Sequence, residues 1–149
     1  MKTPSDRELS DFVRIVEKFQ QALNEFFSGN PELAKVLMSH RDDVTLGNPF
    51  GPFARGWKQV SEAMDRAGSY YSEGAATGFE VVAEHAGSQL AYTVWVERFR
   101  SKVGSSQEMA AGALRRTTIY RREDGAWRVV HSQADTITTA RAAESVIPT

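Results

Sequence analysis

The 149-residue chain has no cysteine. That absence excludes disulfides, thiolate nucleophiles and cysteine-ligated metal sites, and it suits a reducing cytosol. An excess of either charge is also missing. Eighteen Lys and Arg against nineteen Asp and Glu leave a formal net charge of −1. The cationic field that non-specific nucleic-acid or anionic-membrane binding requires is therefore lacking. No stretch approaches the ~20 apolar residues of a membrane span. Met1–Glu8 carries no apolar run of the signal-peptide kind. A cytoplasmic location with neither membrane nor nucleic acid as partner is expected. Histidine is scarce: His40, His85 and His131 are the whole set, and none forms a His-x-x-x-His pair, so no metal site is expected. Gly47–Gly51 lacks the spacing of a phosphate-cradling loop, and no Gly-x-Ser-x-Gly elbow occurs. No cofactor is expected.

What is present is a clear change of period. Ser5-Asp-Arg-Glu8 is a capping box, and Phe12, Ile15, Val16, Phe19, Ala22, Leu23, Phe26 and Phe27 follow mostly at three- and four-residue steps. This predicts an amphipathic helix over 5–27, stopped by Gly29. Asn30-Pro31 caps a second, short helix through about Met38. A third is predicted over 57–71, with Trp57, Val60, Met64 and Ala67 inward. Between the last two lie a short strand and a turn-rich stretch around Pro49, Gly51 and Pro52. From Gly78 the period becomes two, predicting strands at about 78–86, 90–100, 111–122 and 127–138. Gly87-Ser88 has hairpin-turn chemistry. The stretch 101–107 reads as a mobile hairpin tip, and the tail from Thr139 as a frayed helix or disordered. Helices first and antiparallel strands after make an α+β fold, one domain over 1–149 with its core at about 8–138. At this length a chain buries roughly 68–70% of its unfolded surface, enough for a core without staples.

Strand parity then selects candidate site residues. On the last strand Trp127, Val129, His131, Gln133 and Asp135 share a face that begins apolar and ends in an imidazole, an amide and a carboxylate. That grading suits a pocket wall. On the strand at 90–100, Thr93, Trp95, Glu97 and Phe99 share a face. On the next strand Arg115, Thr117 and Ile119 alternate with Leu114, Arg116, Thr118 and Tyr120. A Glu97–Arg115 pair facing one interior would be charge-assisted and directional, able to hold a polar ligand or to brace the sheet. His131 or Asp135 could serve as general base, His131 because its ordinary pKa lies near working pH.

Several segments carry a family resemblance: His40-Arg-Asp-Asp-Val-Thr-Leu-Gly-Asn-Pro-Phe-Gly51, Arg55-Gly-Trp57, Leu90-Ala-Tyr-Thr-Val-Trp-Val-Glu97, and Leu114 through His131. Together they resemble the SnoaL-like branch of the nuclear transport factor 2-like superfamily over about residues 8–138. The resemblance implies a cone-shaped α+β barrel, three helices packed on a strongly curved, mostly antiparallel sheet around a pocket, paired as a homodimer through the sheet's outer face. It leaves activity open, because the superfamily holds isomerases, cyclases, dehydratases and binding modules. Ketosteroid isomerase activity is not expected. Where those enzymes hold a proton-shuttling aspartate this chain has Asn48, the first helix has no tyrosine, and 113–122 has no acid. Relatives that end in His-x-His are matched here by His131-Ser-Gln133.

The expectation is a pocket for a small, mainly apolar molecule bearing a carbonyl or hydroxyl. As an enzyme the chain would perform cofactor-free isomerisation, cyclisation or dehydration, with His131 or Asp135 as base and Arg115 or Asn48 polarising an oxyanion. Trp57 and Trp95 would be walls, with Glu97, Thr117 and Gln133 also against the ligand. The alternative is a non-catalytic ligand-binding or dimerisation module.

Overall fold

In the computed structural model, which describes residues 3–149, α1 spans Asp6–Phe26. It starts where the capping residues say it should. Ser5 Oγ accepts the Glu8 N–H at 3.2 Å and Glu8 Oε1 accepts the Ser5 N–H at 3.4 Å, satisfying two donors that a helix start leaves orphaned. Its buried stripe is Phe12, Ile15, Val16, Phe19, Ala22 and Leu23. After Gly29, whose φ of +99° suits glycine, come α2 (Glu32–Leu37), β1 (Thr45–Asn48), β2 (Gly51–Arg55) and α3 (Trp57–Gly68). The remaining strands are β3 (Tyr71–Ala86), β4 (Leu90–Val103), β5 (Ala110–Glu123) and β6 (Ala126–Asp135), with a 3₁₀ turn at Ala143–Val146 in the tail. No helix among the described residues is long and apolar enough to cross a membrane.

The six strands form one sheet in the order β2-β1-β6-β5-β4-β3. Only β1 and β6 run parallel; the other neighbours are antiparallel. The expected α+β architecture, three helices packed on a strongly curved, mostly antiparallel sheet, is present; the sheet curls around α1 without closing, so β2 and β3 remain its edges. Three register shifts in β3, between Ser72 and Ala75, Ala76 and Gly78, and Val81 and Ala83, accompany the curl. At the first, Glu73 takes a positive φ of 57°. A Cβ on the adjacent Gly74 would collide with the carbonyl oxygens of Phe27 and Arg100, so the end of α1 and β4 close on a residue without a side chain. The concave face carries the core. Phe12 and Phe19 of α1 meet Tyr120 edge-on at 5.7 and 6.4 Å, and Phe19 lies 6.3 Å from Trp95.

Three sequence expectations need adjustment here. The third helix ends at Gly68, so Tyr71 opens β3 rather than closing the helix. The turn-rich stretch after β1 holds a second strand, β2. The expected hairpin tip at 101–107 narrows, because β4 continues through Val103 and β5 begins at Ala110.

Candidate functional site

The two faces of β4, β5 and β6 follow from their register. Thr93 lies opposite Thr118 and Thr118 opposite Ser132; Trp95 lies opposite Arg116 and Arg116 opposite Ala134; Glu97 lies opposite Leu114. These residues face the helices. The alternate rows, Tyr92–Ile119–His131, Val94–Thr117–Gln133 and Val96–Arg115–Asp135, face outward.

One residue sets this arrangement on β6. Tyr120 pairs with Val129 and Ile119 with His131, which leaves Val130 as an extra residue in the strand. Beyond such a bulge the parity inverts. Trp127 and Val129 point inward as expected, but Ser132 and Ala134, not His131, Gln133 and Asp135, continue that face. The expectation of one shared face over 127–135 is corrected accordingly.

Inside the curl, Glu97 is fully buried and Arg116 nearly so, at 0% and 11% side-chain exposure. Arg116 Nε donates to Glu97 Oε1 at 2.7 Å and Nη2 to Oε2 at 3.0 Å, a bidentate pair. Trp95 Nε1 donates to the same carboxylate at 2.8 Å, and Arg116 Nη1 to Ser132 Oγ at 2.9 Å. Burial works against the Arg116 charge, but the Glu97 carboxylate outweighs it and holds the guanidinium above its usual value. The expected Glu97–Arg115 pair is thus replaced by Glu97–Arg116, one register step away. Thr93 Oγ1 and the Tyr120 hydroxyl complete the buried polar set at 2.9 Å, with the Tyr120 pKa pushed up by burial.

Arg116 and Ser132 reach a cavity of about 50 Å³ between α1, α2, α3 and the sheet. Its walls are otherwise mostly apolar, including Phe19, Phe27, Met38, Met64 and Tyr71, and its mouth is the turn Asn48-Pro49-Phe50. The Tyr71 phenol sits on that wall near the ion pair and makes no hydrogen bond among the described residues. Burial pushes its pKa up to about 12, so it is a neutral donor at working pH. Arg116 has five N–H groups, of which three serve Glu97 and Ser132. Two are left over in a side chain that lines the cavity. Among the described residues, none that lines the cavity is a carboxylate or an imidazole.

The residues chosen from sequence fall into three places. Glu97 and Trp95 are inside, but as the support behind Arg116 rather than as cavity wall. Asn48 is at the mouth, its Oδ1 accepting the Phe50 N–H at 2.9 Å. Trp57 stacks on the His40 ring at 3.7 Å and does not reach the cavity. Arg115, Thr117, His131, Gln133 and Asp135 gather on the outer sheet face. There Arg115 Nε donates to Asp135 Oδ1 at 2.7 Å and the Thr45 hydroxyl meets His131 Nδ1 at 2.7 Å. Burial works to raise the Asp135 pKa, but Arg115 and the Ile137 N–H hold it below the usual carboxylate range. Burial alone lowers that of His131. Missed in the sequence were Tyr71, Arg116 and Ser132. The twin-arginine step Arg115-Arg116 signalled that one of the two must face inward; it did not say which.

Comparison with known proteins bears on the fold. No curated protein matches the chain. Among solved structures, a nuclear transport factor 2-like superfamily protein from Salmonella enterica serovar Typhimurium is 16% identical. The match covers 95% of this chain and 99% of that one, with a TM-score of 0.75. A ketosteroid isomerase-like protein from Erwinia carotovora atroseptica is 14% identical over 91% of this chain and all of that one, with a TM-score of 0.74. A protein with a cystatin-like fold from Caulobacter vibrioides is 15% identical over 89% and 91%, at a TM-score of 0.64. Identities this low carry fold alone. The sequence itself matches the SnoaL-like domain over residues 15–137, from the middle of α1 to just past β6, and the chain therefore belongs to the SnoaL-like family.

Proposed function

We propose that this protein binds, without turnover, a small, neutral, mainly apolar molecule that carries a carbonyl or hydroxyl oxygen. One observation carries the reading: Arg116, held rigidly by Glu97 and Ser132, lines an apolar cavity with two N–H groups unused, beside the unpartnered Tyr71 hydroxyl. Ligand sites of this kind pair apolar walls with a few placed donors. Neutrality follows from charge. Glu97 already compensates Arg116, so a buried anion would arrive uncompensated, and isolated buried charge is strongly unfavourable. A ketone accepts the same hydrogen bonds without that penalty. Proton transfer has less support, because the cavity wall offers no acid or imidazole to act as base.

The test is thermal unfolding with a panel of neutral ketones and alcohols, with carboxylates of matching shape alongside. A ligand at a hundredfold excess over its Kd stabilises by about 2.7 kcal/mol. The stabilisation should be present for ketones, absent for carboxylates, and weakened in Tyr71→Phe. Stabilisation by the carboxylates alone, or by nothing in the panel, would refute the reading.

The protein is also proposed to pair as a homodimer through the outer sheet face. Leu90, Tyr92 and Phe53 are 52%, 40% and 65% exposed on that face, a surplus of large apolar surface of the kind that marks interfaces. Tyr92→Glu should yield a monomer by analytical ultracentrifugation. An unchanged dimer would move the interface elsewhere, and a monomeric parent protein would remove it.

A further inference from the structure

The 50 Å³ cavity is small for a ligand site, since those run from roughly 300 Å³ upward, and a second space lies directly outside it. A groove of about 190 Å³ runs between α3 and the β1–β2 hairpin. Cavity and groove have walls in common: Asn48, Phe50 and Ala67 line both. Of these, Phe50 is the large mobile candidate. It occupies a two-residue turn between β1 and β2, is 45% exposed, and holds its place by edge-on contacts with Tyr70 at 4.9 Å and Tyr71 at 6.0 Å. Its backbone is anchored separately, by Asn48 Oδ1. The ring can therefore swing without disturbing the turn, and a half-exposed side chain of this kind changes rotamer on fast timescales.

The groove is chemically unlike the cavity. Glu62 and Arg66 stand one turn apart on α3 and both line it, with Gln59 beside them. Among the described residues neither charged side chain forms an ion pair or a side-chain hydrogen bond, although the i, i+4 spacing permits one. A free acceptor and a free donor of opposite charge make a net-neutral recess. It suits an uncharged group that both donates and accepts, which is the chemistry of a hydroxyl.

We infer that Phe50 is a gate between the inner cavity and the α3 groove, and that the ligand spans it: a neutral chain with its carbonyl on Arg116 and Tyr71 and a distal hydroxyl between Glu62 and Arg66. The inference rests on the binding function proposed above and adds ligand length and a second polar end. It assigns Phe50, Glu62 and Arg66 as specificity residues, the last two outside every motif read from the sequence.

Three probes separate the parts: 2-butanone, 2-decanone and 10-hydroxydecan-2-one, each titrated by ligand-observed NMR against the whole protein. The short ketone reads the cavity alone, 2-decanone reads passage through the gate, and the hydroxyketone adds the groove. Phe50→Trp should weaken both ten-carbon ketones at least tenfold, and far more than it weakens 2-butanone. Phe50→Ala should accelerate association of the long ketones more than that of the short one. The pair Glu62→Gln and Arg66→Gln should erase the several-fold advantage of the hydroxyketone over 2-decanone. Thermal unfolding of each variant without ligand checks that it folds. If 2-butanone binds while the long ketones do not, or if the Phe50 variants change all three alike, the gate is refuted and the binding function stands. If the hydroxyl gives no advantage, the groove assignment falls. If none of the three binds, the binding function fails and takes the gate with it.

Discussion

The two faces of the central sheet carry the same chemistry with opposite consequences. Inside, Glu97 and Arg116 form a bidentate ion pair at 2.7 and 3.0 Å with almost no exposure. Outside, one residue along β5, Arg115 pairs with Asp135 at 2.7 Å, with 56% and 30% of the two side chains exposed. Distance does not distinguish them. Solvent does: an exposed pair is screened and contributes at most about 1 kcal/mol, whereas each buried charge depends wholly on its partner. Within one subunit the outer pair is a surface feature; the inner pair is part of what the cavity is made of.

The sharpest way to break the contrast is to remove one inner partner. Arg116→Met leaves the Glu97 carboxylate stranded, at a cost of about 3–5 kcal/mol in urea unfolding. The double variant Glu97→Leu, Arg116→Met should recover part of that loss: apolar replacement of a whole buried pair is often neutral, but the buried Trp95 N–H then loses its acceptor. A double variant as unstable as the single one would show that the pair stabilises in its own right. Next comes Tyr120→Phe, which strands the buried Thr93 hydroxyl that it now meets at 2.9 Å and should cost about 1–3 kcal/mol. In the monomeric Tyr92→Glu background, Arg115→Ala should leave the urea midpoint nearly unchanged, and any small loss should vanish at high salt. A large effect there would show that the outer pair, too, depends on its partner.

The smallest expected effect is a pH dependence from His131. Its folded pKa lies below the ordinary 6.5 because burial disfavours the charged ring. The unfolded chain then binds the proton more readily than the folded one, so stability is level above about pH 6.5 and falls as pH drops through it. His131→Gln should flatten the urea midpoint between pH 6.5 and 5, above the range where carboxylates titrate. A slope that survives the substitution would point to another group.

Much of the fold was legible. The capping box and the three- and four-residue apolar steps placed α1 to within a residue, because helix signals are local: cap, stripe and stop all lie within one segment. The four long strands were found for the same reason. The short β2 was not, since Gly51-Pro52-Phe53 reads as turn until a partner strand gives it hydrogen bonds. The candidate site was legible in residue type but not in side. A polar, inward-facing cluster on the last three strands was expected, and one exists. Glu97 and Trp95 belong to it, while Arg115, Thr117, His131, Gln133 and Asp135 stand on the opposite face.

The reason is physical. A strand of period two has two faces, and where both carry mixed residues, as Arg115-Arg116-Thr117-Thr118 does, nothing local says which turns toward the helices. On β6 the apolar start at Trp127 and Val129 did indicate the inner side, but the single extra residue Val130 inverted everything beyond it. A bulge is a relation between two strands and the curl they share, so it cannot be read from one of them. By itself the sequence determined the helices, the number and order of the long strands, and the family. Only the tertiary structure decided which arginine is buried, which tyrosine faces the cavity and where the ring of Phe50 divides the space, because each depends on surfaces that meet only when the sheet curls around α1.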